Sequence, residues 1–210
     1  VEADFWKQRW AEGKIGFHQG VANEYLVAHD ARLSGRVLVP MCGKAEDLAY
    51  LASRGHEVVG VELVEDAVAA FFAEHGLTPT VDEPWNDCTH RAYRHGAITL
   101  IAGDWFSATP EMIGVVNSVY DRAALVAMPP EMRIPYIAQV RKLVQPGTPG
   151  LLVTVDYDET KFAGPPFPVG DTEVRAHYTR VEQLGGDHGA FGRLGDANIG
   201  ALERCYAITI

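Results

Sequence analysis

The sequence is poor in cysteine, in basic clusters and in long apolar runs, and each shortage excludes a class of protein. The three cysteines, Cys42, Cys88 and Cys205, lie far apart without CxxC spacing. Neither a disulfide framework nor a zinc site is signalled, and a reducing cytoplasm is the expected setting. Lysine and arginine number 18 against 28 aspartates and glutamates, a net charge of -10, and no local cluster reverses the balance. Such a chain has no long-range attraction for phosphate backbones or anionic lipid, so no nucleic acid and no membrane partner is expected. No apolar run approaches the ~18 to 20 residues that cross a bilayer. The opening VEADFWKQRW also lacks the basic-then-apolar pattern of a signal peptide. A glycine-rich phosphate loop is missing too. The first strand-loop-helix unit carries one glycine, in PMCGK, where a dinucleotide fingerprint carries three.

What is present is enough apolar sequence, 47% over 210 residues, to bury one substantial core. A single domain over residues 1–210 is expected. Short apolar runs alternate with amphipathic stretches, which predicts an α/β fold with a largely parallel sheet. Strands are expected at Arg36 to Pro40, Glu57 to Val61, Ala97 to Ala102, Asn117 to Tyr120 and Leu151 to Val155. The stretches YTRVEQL and ERCYAITI should pair as a terminal hairpin. Between the first two strands, Leu48, Leu51, Ala52 and Gly55 share a helical face; after the second, Val64, Val68, Phe71, Phe72 and His75 do so, with Gly76 as the stop. Pro130 should open a further helix carrying Met132, Tyr136, Ile137, Val140 and Leu143 inward, with its first turns disturbed by Pro135. KFAGPPFPVGD should be irregular. Thr78 to His95 carries no clear signal.

In open α/β sheets a ligand sits beyond the carboxyl ends of the strands, where strand order reverses. Gly43 lets the backbone approach a ligand there. Glu62, 19 residues later at the end of the second strand, has the position of an acid that accepts both hydroxyls of a ribose. PMCGK supplies little for a pyrophosphate, so a nucleoside without phosphates fits better, and S-adenosylmethionine is the common one. An ordinary βαβ turn with a surface glutamate is the alternative. At the next strand end, in GDWF, Asp104 is placed to accept from an adenine amine while Trp105 or Phe106 stacks on the ring. Asp104 capping the following turn is the other reading.

The chain resembles the thiopurine S-methyltransferase family. FWKQRWAEGKIGFHQ, LVPMCGK, GHEVVGVE, YDRAALVAM and GPPFPV are similar to family stretches and stand in the family's order. The resemblance implies a Rossmann-like class I methyltransferase fold, a seven-stranded mostly parallel sheet with an antiparallel last strand and helices on both faces. It divides the chain into an N-terminal lid over residues 1–30 and a core over 34–210. It implies S-adenosyl-L-methionine as cofactor, S-adenosyl-L-homocysteine as product, cofactor contacts at Trp10, Met41, Glu62 and Arg122, and Phe17 near the acceptor. Met41 stands where leucine is more usual, and FGRLGDANIGALE matches poorly, which leaves the role of Arg193 open.

Methyl transfer from a sulfonium is an in-line displacement, so alignment of the partners matters more than a catalytic triad. A soft nucleophile such as an aromatic thiol gains thiolate character beside a cation. Arg122 is the candidate for that cation, with Asp121 either orienting it or forming a surface pair with it. Trp6 is expected to pack and His18 to be structural, and Cys42 to be a small buried side chain. Phe167 in GPPFPV is the expected apolar wall of the acceptor pocket. The reading is an S-methyltransferase, monomeric and cytoplasmic, for small aromatic or heterocyclic thiols such as thiopurines. Selenium or tellurium compounds, halides and simple thiols are alternative acceptors. A nicotinamide-dependent oxidoreductase and a non-catalytic nucleoside-binding protein are the rivals outside this class.

Overall fold

The computed structural model describes residues 3–16, 18–85, 89–190 and 193–210. The chain begins with helices α1 (Ala3–Ala11) and α2 (Glu24–His29) and enters the sheet at β1 (Arg36–Val39). Then follow α3 (Glu46–Ser53), β2 (Glu57–Glu62), α4 (Glu65–Glu74), β3 (Thr80–Val81), β4 (Arg91–His95) and β5 (Ile98–Ala102). The second half runs α5 (Pro110–Ile113), β6 (Ser118–Arg122), α6 (Pro130–Leu143), β7 (Pro149–Asp156), α7 (Asp171–His177), β8 (Thr179–Gly189), α8 (Arg193–Asp196) and β9 (Leu202–Thr209).

The sheet order is β3-β4-β5-β2-β1-β6-β7-β9-β8. The five strands from β5 to β7 are parallel, and β9 lies antiparallel between β7 and β8. The expected seven strands are therefore present with an antiparallel last strand. Two more are added at the edge, because the unassigned stretch before β5 folds back as the antiparallel ladder β3-β4-β5. Strand order reverses between β1 and β6, since the chain builds outward from β1 through β2 to β5 and then crosses back.

Alternate residues of each strand feed two cores, one on each face. Val37, Val39 and Tyr120 pack with Leu48, Leu51, Phe71 and Phe72 of α3 and α4. Leu38 and Val119 pack with Met112, Tyr136, Ile137 and Val140 of α5 and α6. Burying each of the larger side chains contributes roughly 1.5–3 kcal/mol, which holds the helices on both faces. Pro130 opens α6 and Gly76 follows α4 with φ 64°, as their sequence signals predict, and Asn23 caps α2 by accepting from Tyr25 N at 3.0 Å. Pro135 does not disturb α6, which runs unbroken through it. Glu131, whose carbonyl loses a donor to the proline, is an exposed residue, and a lost backbone bond costs less there than in the core.

Candidate functional site

A cleft of about 630 Å³ opens over the carboxyl ends of the parallel strands, at the reversal between β1 and β6. The loop after β1 forms one wall. Met41 there has φ 45° and Gly43 φ 54°, so two residues close together take left-handed backbone and turn the chain sharply across the strand end. Gly43 N donates to Glu62 Oε2 at 2.8 Å, and Val64 N donates to Oε1 at 2.9 Å. These amides fix the carboxylate, and each oxygen keeps a lone pair for a ligand. Burial pushes the Glu62 carboxyl above the usual carboxylate range, and the amides of Val64, Gly43 and Leu63 pull it back. Cys42 packs beneath this loop: a Cβ built at Gly60 would meet its Sγ at 2.6 Å. Burial raises its thiol well above the ordinary value, so it is an inert core side chain.

Trp10 lies over the same loop, 3.2 Å from where a Gly43 Cβ would stand. It belongs to a stripe of α1, with Ala3, Trp6 and Lys7, that lines the cleft. The spacing i, i+3, i+4, i+7 puts these on one helical face. No residue of α1 is buried, so the helix covers the cleft without being sunk in the core. Trp6, expected only to pack, lines the cavity as well as touching the core. Phe17 lies outside the described residues.

At the end of β5, Asp104 both caps and lines. Its Oδ1 accepts from Phe106 N at 3.1 Å, and it faces the cleft. Trp105 lines the cavity but is only 2% exposed and rests against Tyr136 at 5.7 Å. Its buried Nε1 has no hydrogen-bond partner among the described residues. Phe106, half-buried and also lining the cleft, is the better placed of the two rings for stacking.

Arg122 ends β6 and lines the cleft, followed by Ala123 with φ 65°. Its side chain makes no ion pair within 4.0 Å among the described residues. The expected partnership with Asp121 does not form, because consecutive strand residues point to opposite faces. Asp121 instead accepts from Tyr136 Oη at 2.7 Å and Leu125 N at 3.1 Å, on the α6 side. On the Arg122 side lie two buried acids. Asp47 accepts from Asn23 N at 2.7 Å and Tyr120 Oη at 3.2 Å. Glu203, on β9, lines the cleft. Burial raises both carboxyls, and the charge of Arg122 lowers both.

The remaining wall is apolar, formed by Val126, Met128, Met132, Val153, Val155 and Leu194. Phe167 is not part of it. Its ring lies where a Gly164 Cβ would stand, and its backbone is tied to Val126 O, so Pro165 and Pro166 take the lining position instead. His18 also lines the cleft, and burial, helped by Lys44, pushes its imidazole below the ordinary value. Glu203 and the full role of Trp6 were not found by sequence reasoning. The former carries no local motif, and the latter's i, i+4 partner Trp10 was the available signal.

Asp121 gives a stability test separate from the site chemistry. Burial raises its carboxyl from 3.8 to about 6. The folded state therefore holds a proton that the unfolded state has lost between those values. The stabilisation is complete below about pH 4 and disappears as pH rises through about 6, amounting to roughly 3 kcal/mol. Asp121→Asn should abolish this component. Urea unfolding at pH 4.5 and 7 should show a smaller fall in stability for the variant than for the wild type, and identical slopes would show that Asp121 does not titrate this way.

Among the described residues no helix is long and apolar enough to cross a membrane, and no group of three metal-ligating side chains occurs. Residues 1–186 match the family model described as Thiopurine S-methyltransferase. A thiopurine S-methyltransferase of Pseudomonas aeruginosa (strain UCBPP-PA14) is 47% identical over 191 residues, covering 88% of this chain and 86% of the relative. One of Azotobacter vinelandii is 47% identical over 179 residues, covering 83% and 81%. Among solved structures, the fold resembles a methyltransferase of Burkholderia thailandensis that acts on 1,6-didemethyltoxoflavin, with S-adenosylhomocysteine bound. That likeness has TM-score 0.61 and 17% identity and covers 99% and 87% of the two chains. It also resembles an S-adenosylmethionine-dependent methyltransferase of Anabaena variabilis, at TM-score 0.62 and 16% identity over 100% and 95%.

Proposed function

The chain belongs to the thiopurine S-methyltransferase family, and on that premise we propose how its cleft divides the work of S-adenosylmethionine-dependent S-methylation. The observation that carries the reading is that one cavity joins the fixed acid Glu62 and the Asp104 turn to Arg122 and an apolar wall. The cofactor fits the first half. Glu62 has lone pairs for the ribose hydroxyls, Gly43 leaves room for close approach, and the Trp105 Nε1 donor is unfilled. Asp104 and Phe106 take the adenine, and Trp10 with Met41 covers the remainder. When bound, S-adenosyl-L-methionine supplies an electrophilic methyl group and departs as S-adenosyl-L-homocysteine.

Arg122 faces the acceptor sulfur and favours its anionic form. The apolar wall favours a flat, weakly hydrated thiol over an oxyanion or halide, which would lose its water against methionine, valine and leucine. A small aromatic or heterocyclic thiol is thus the proposed acceptor, in a cytoplasmic monomer with no nucleic acid or membrane partner. Calorimetry with S-adenosylhomocysteine and with NADH, then mass spectrometry of a thiol incubated with S-adenosylmethionine, tests this reading. Binding of NADH in preference to S-adenosylhomocysteine, or no methylated thiol, would contradict it.

The N-terminal segment is proposed as a lid over a core of residues 34–210. Its cavity-facing stripe and the absence of buried residues on α1 support an element ordered mainly by what it covers. Amide exchange over residues 5 to 19 should slow when S-adenosylhomocysteine and an acceptor analogue are added. Strong protection that is equal with and without ligand would mean a fixed helix.

A further inference from the structure

Many heterocyclic thiols rest as thiones, with the proton on the ring nitrogen beside the C=S group. Methylating the sulfur of that form leaves a cation unless the nitrogen gives up its proton, so a cleft serving such acceptors needs a proton acceptor next to the sulfur site. The groups lining this cleft that could take a proton are the carboxylates Glu62, Asp104 and Glu203 and the imidazole of His18, whose charged neighbours are chiefly Lys44, Glu46 and Glu74. Glu62 ends β2 and Asp104 follows β5, on the cofactor side of the strand reversal. Glu203 is on the other side, on β9, beyond Arg122.

Sheet register fixes the relation of the two groups. Arg122 is paired with Val153 on β7, and Val155, two residues on, is paired with Glu203 on β9. Paired residues and residues two apart share a face, so Arg122 and Glu203 rise on the same side with Val153 and Val155 as the floor between them. All four line the cavity. Two strand spacings separate β6 from β9, about 10 Å, which leaves room for a flat ring between two long side chains. Glu203 is only 9% exposed, with Asn23 beside it as a neighbour that lowers its carboxyl. Burial and the acids Glu24 and Asp47 raise its carboxyl, while Arg122 lowers it. A carboxylate so placed accepts a proton more readily than one in water.

We propose that Glu203 is the general base for thione acceptors, taking the ring N–H proton as the sulfur facing Arg122 is methylated. This rests on the methyltransferase reading above. The N–H pair closes a ring C=N bond and the C=S π pair forms the bond from sulfur to the methyl carbon. The bond from that carbon to the sulfonium sulfur breaks, leaving a neutral thioether. The proton passes to Glu203 and then to water once the product leaves.

The test compares pyridine-2-thione, which has the N–H, with thiophenol, which has the same shape without it. Glu203→Gln should lower the ratio of kcat/KM for pyridine-2-thione over thiophenol by at least about tenfold, the lower end of a general-base contribution being about a hundredfold. In the S-adenosylhomocysteine complex, calorimetry should show pyridine-2-thione binding weakened several-fold relative to thiophenol. Glu203→Asp keeps the charge seen by Arg122 and Asn23 but withdraws the carboxylate by one methylene. It should shift the ratio the same way, and it carries the test if the glutamine variant does not fold. Ratios that stay at the wild-type value, whether both substrates suffer together or neither does, would overturn the proposal. A wild-type protein that methylates neither compound would instead overturn the functional reading beneath it.

Discussion

Arg122→Ala is expected to lower kcat/KM by about 10²- to 10³-fold for weakly acidic thiols, the loss typical of removing one preorganised electrostatic group, and by progressively less as thiol acidity increases. The reason is chemical. A thiol already ionised in water needs no help from a cation, whereas one that is neutral near pH 7 depends on it. Arg122 ends β6 and lines the cleft, and the pair with Asp121 that would have tied it elsewhere does not form, because the two residues face opposite sides of the sheet. Its removal also leaves Asp47 and Glu203 without the positive charge that offsets their burial, so Arg122→Lys is the companion variant. It keeps the charge and should lose less activity and less stability. The measurement is a series of thiols of rising pKa, with S-adenosylhomocysteine affinity followed in parallel. A loss that is the same across the series would assign Arg122 to structure alone.

The second large effect is expected at Glu62. Its carboxylate is anchored from behind by the amides of Gly43 and Val64 and retains acceptor capacity on both oxygens for two ribose hydroxyls. Two charge-assisted bonds of about 1.5–3 kcal/mol each make the expected weakening of S-adenosylhomocysteine binding in Glu62→Ala at least about a hundredfold. Part of that loss is indirect, since the same substitution releases the amides that shape the loop beneath Trp10. Glu62→Gln separates the parts: one amide must then face an NH₂ group instead of an oxygen, so loop and ligand are both affected, but less. Asp104→Ala should cost less than either, because Asp104 is exposed and its bonds compete with water. Isothermal titration decides, and unchanged affinity in a folded Glu62→Ala variant would remove this residue from the site.

Much of this architecture was legible along the chain because it is local. Strands β1, β2, β5, β6 and β7 and helices α3, α4 and α6 appear within a few residues of where periodicity and stop signals put them. The residues at strand ends, Met41, Gly43, Glu62, Asp104, Trp105 and Arg122, all line the cleft, because an open parallel sheet brings its carboxyl ends together whatever else the chain does. Other features were settled only by tertiary contact. Asp121 and Arg122 are neighbours in sequence but serve opposite faces of the sheet. Trp105 and Phe106 both border the cavity, but Trp105 is buried against Tyr136 and Phe106 is the more open ring. Phe167 gives way to Pro165 and Pro166 because its ring is drawn against Gly164. Pro135 is tolerated where both it and Glu131, whose carbonyl it orphans, are exposed residues. Glu203 is the furthest case. It stands 81 residues after Arg122 in a stretch with no motif, and it reaches the cleft only because β9 inserts antiparallel beside β7 in the register that sets it opposite Val155. Period and spacing describe what a chain does within a few residues of itself, whereas a strand's register against a distant partner depends on side chains from the whole sheet, and that is where the far end of this site was decided.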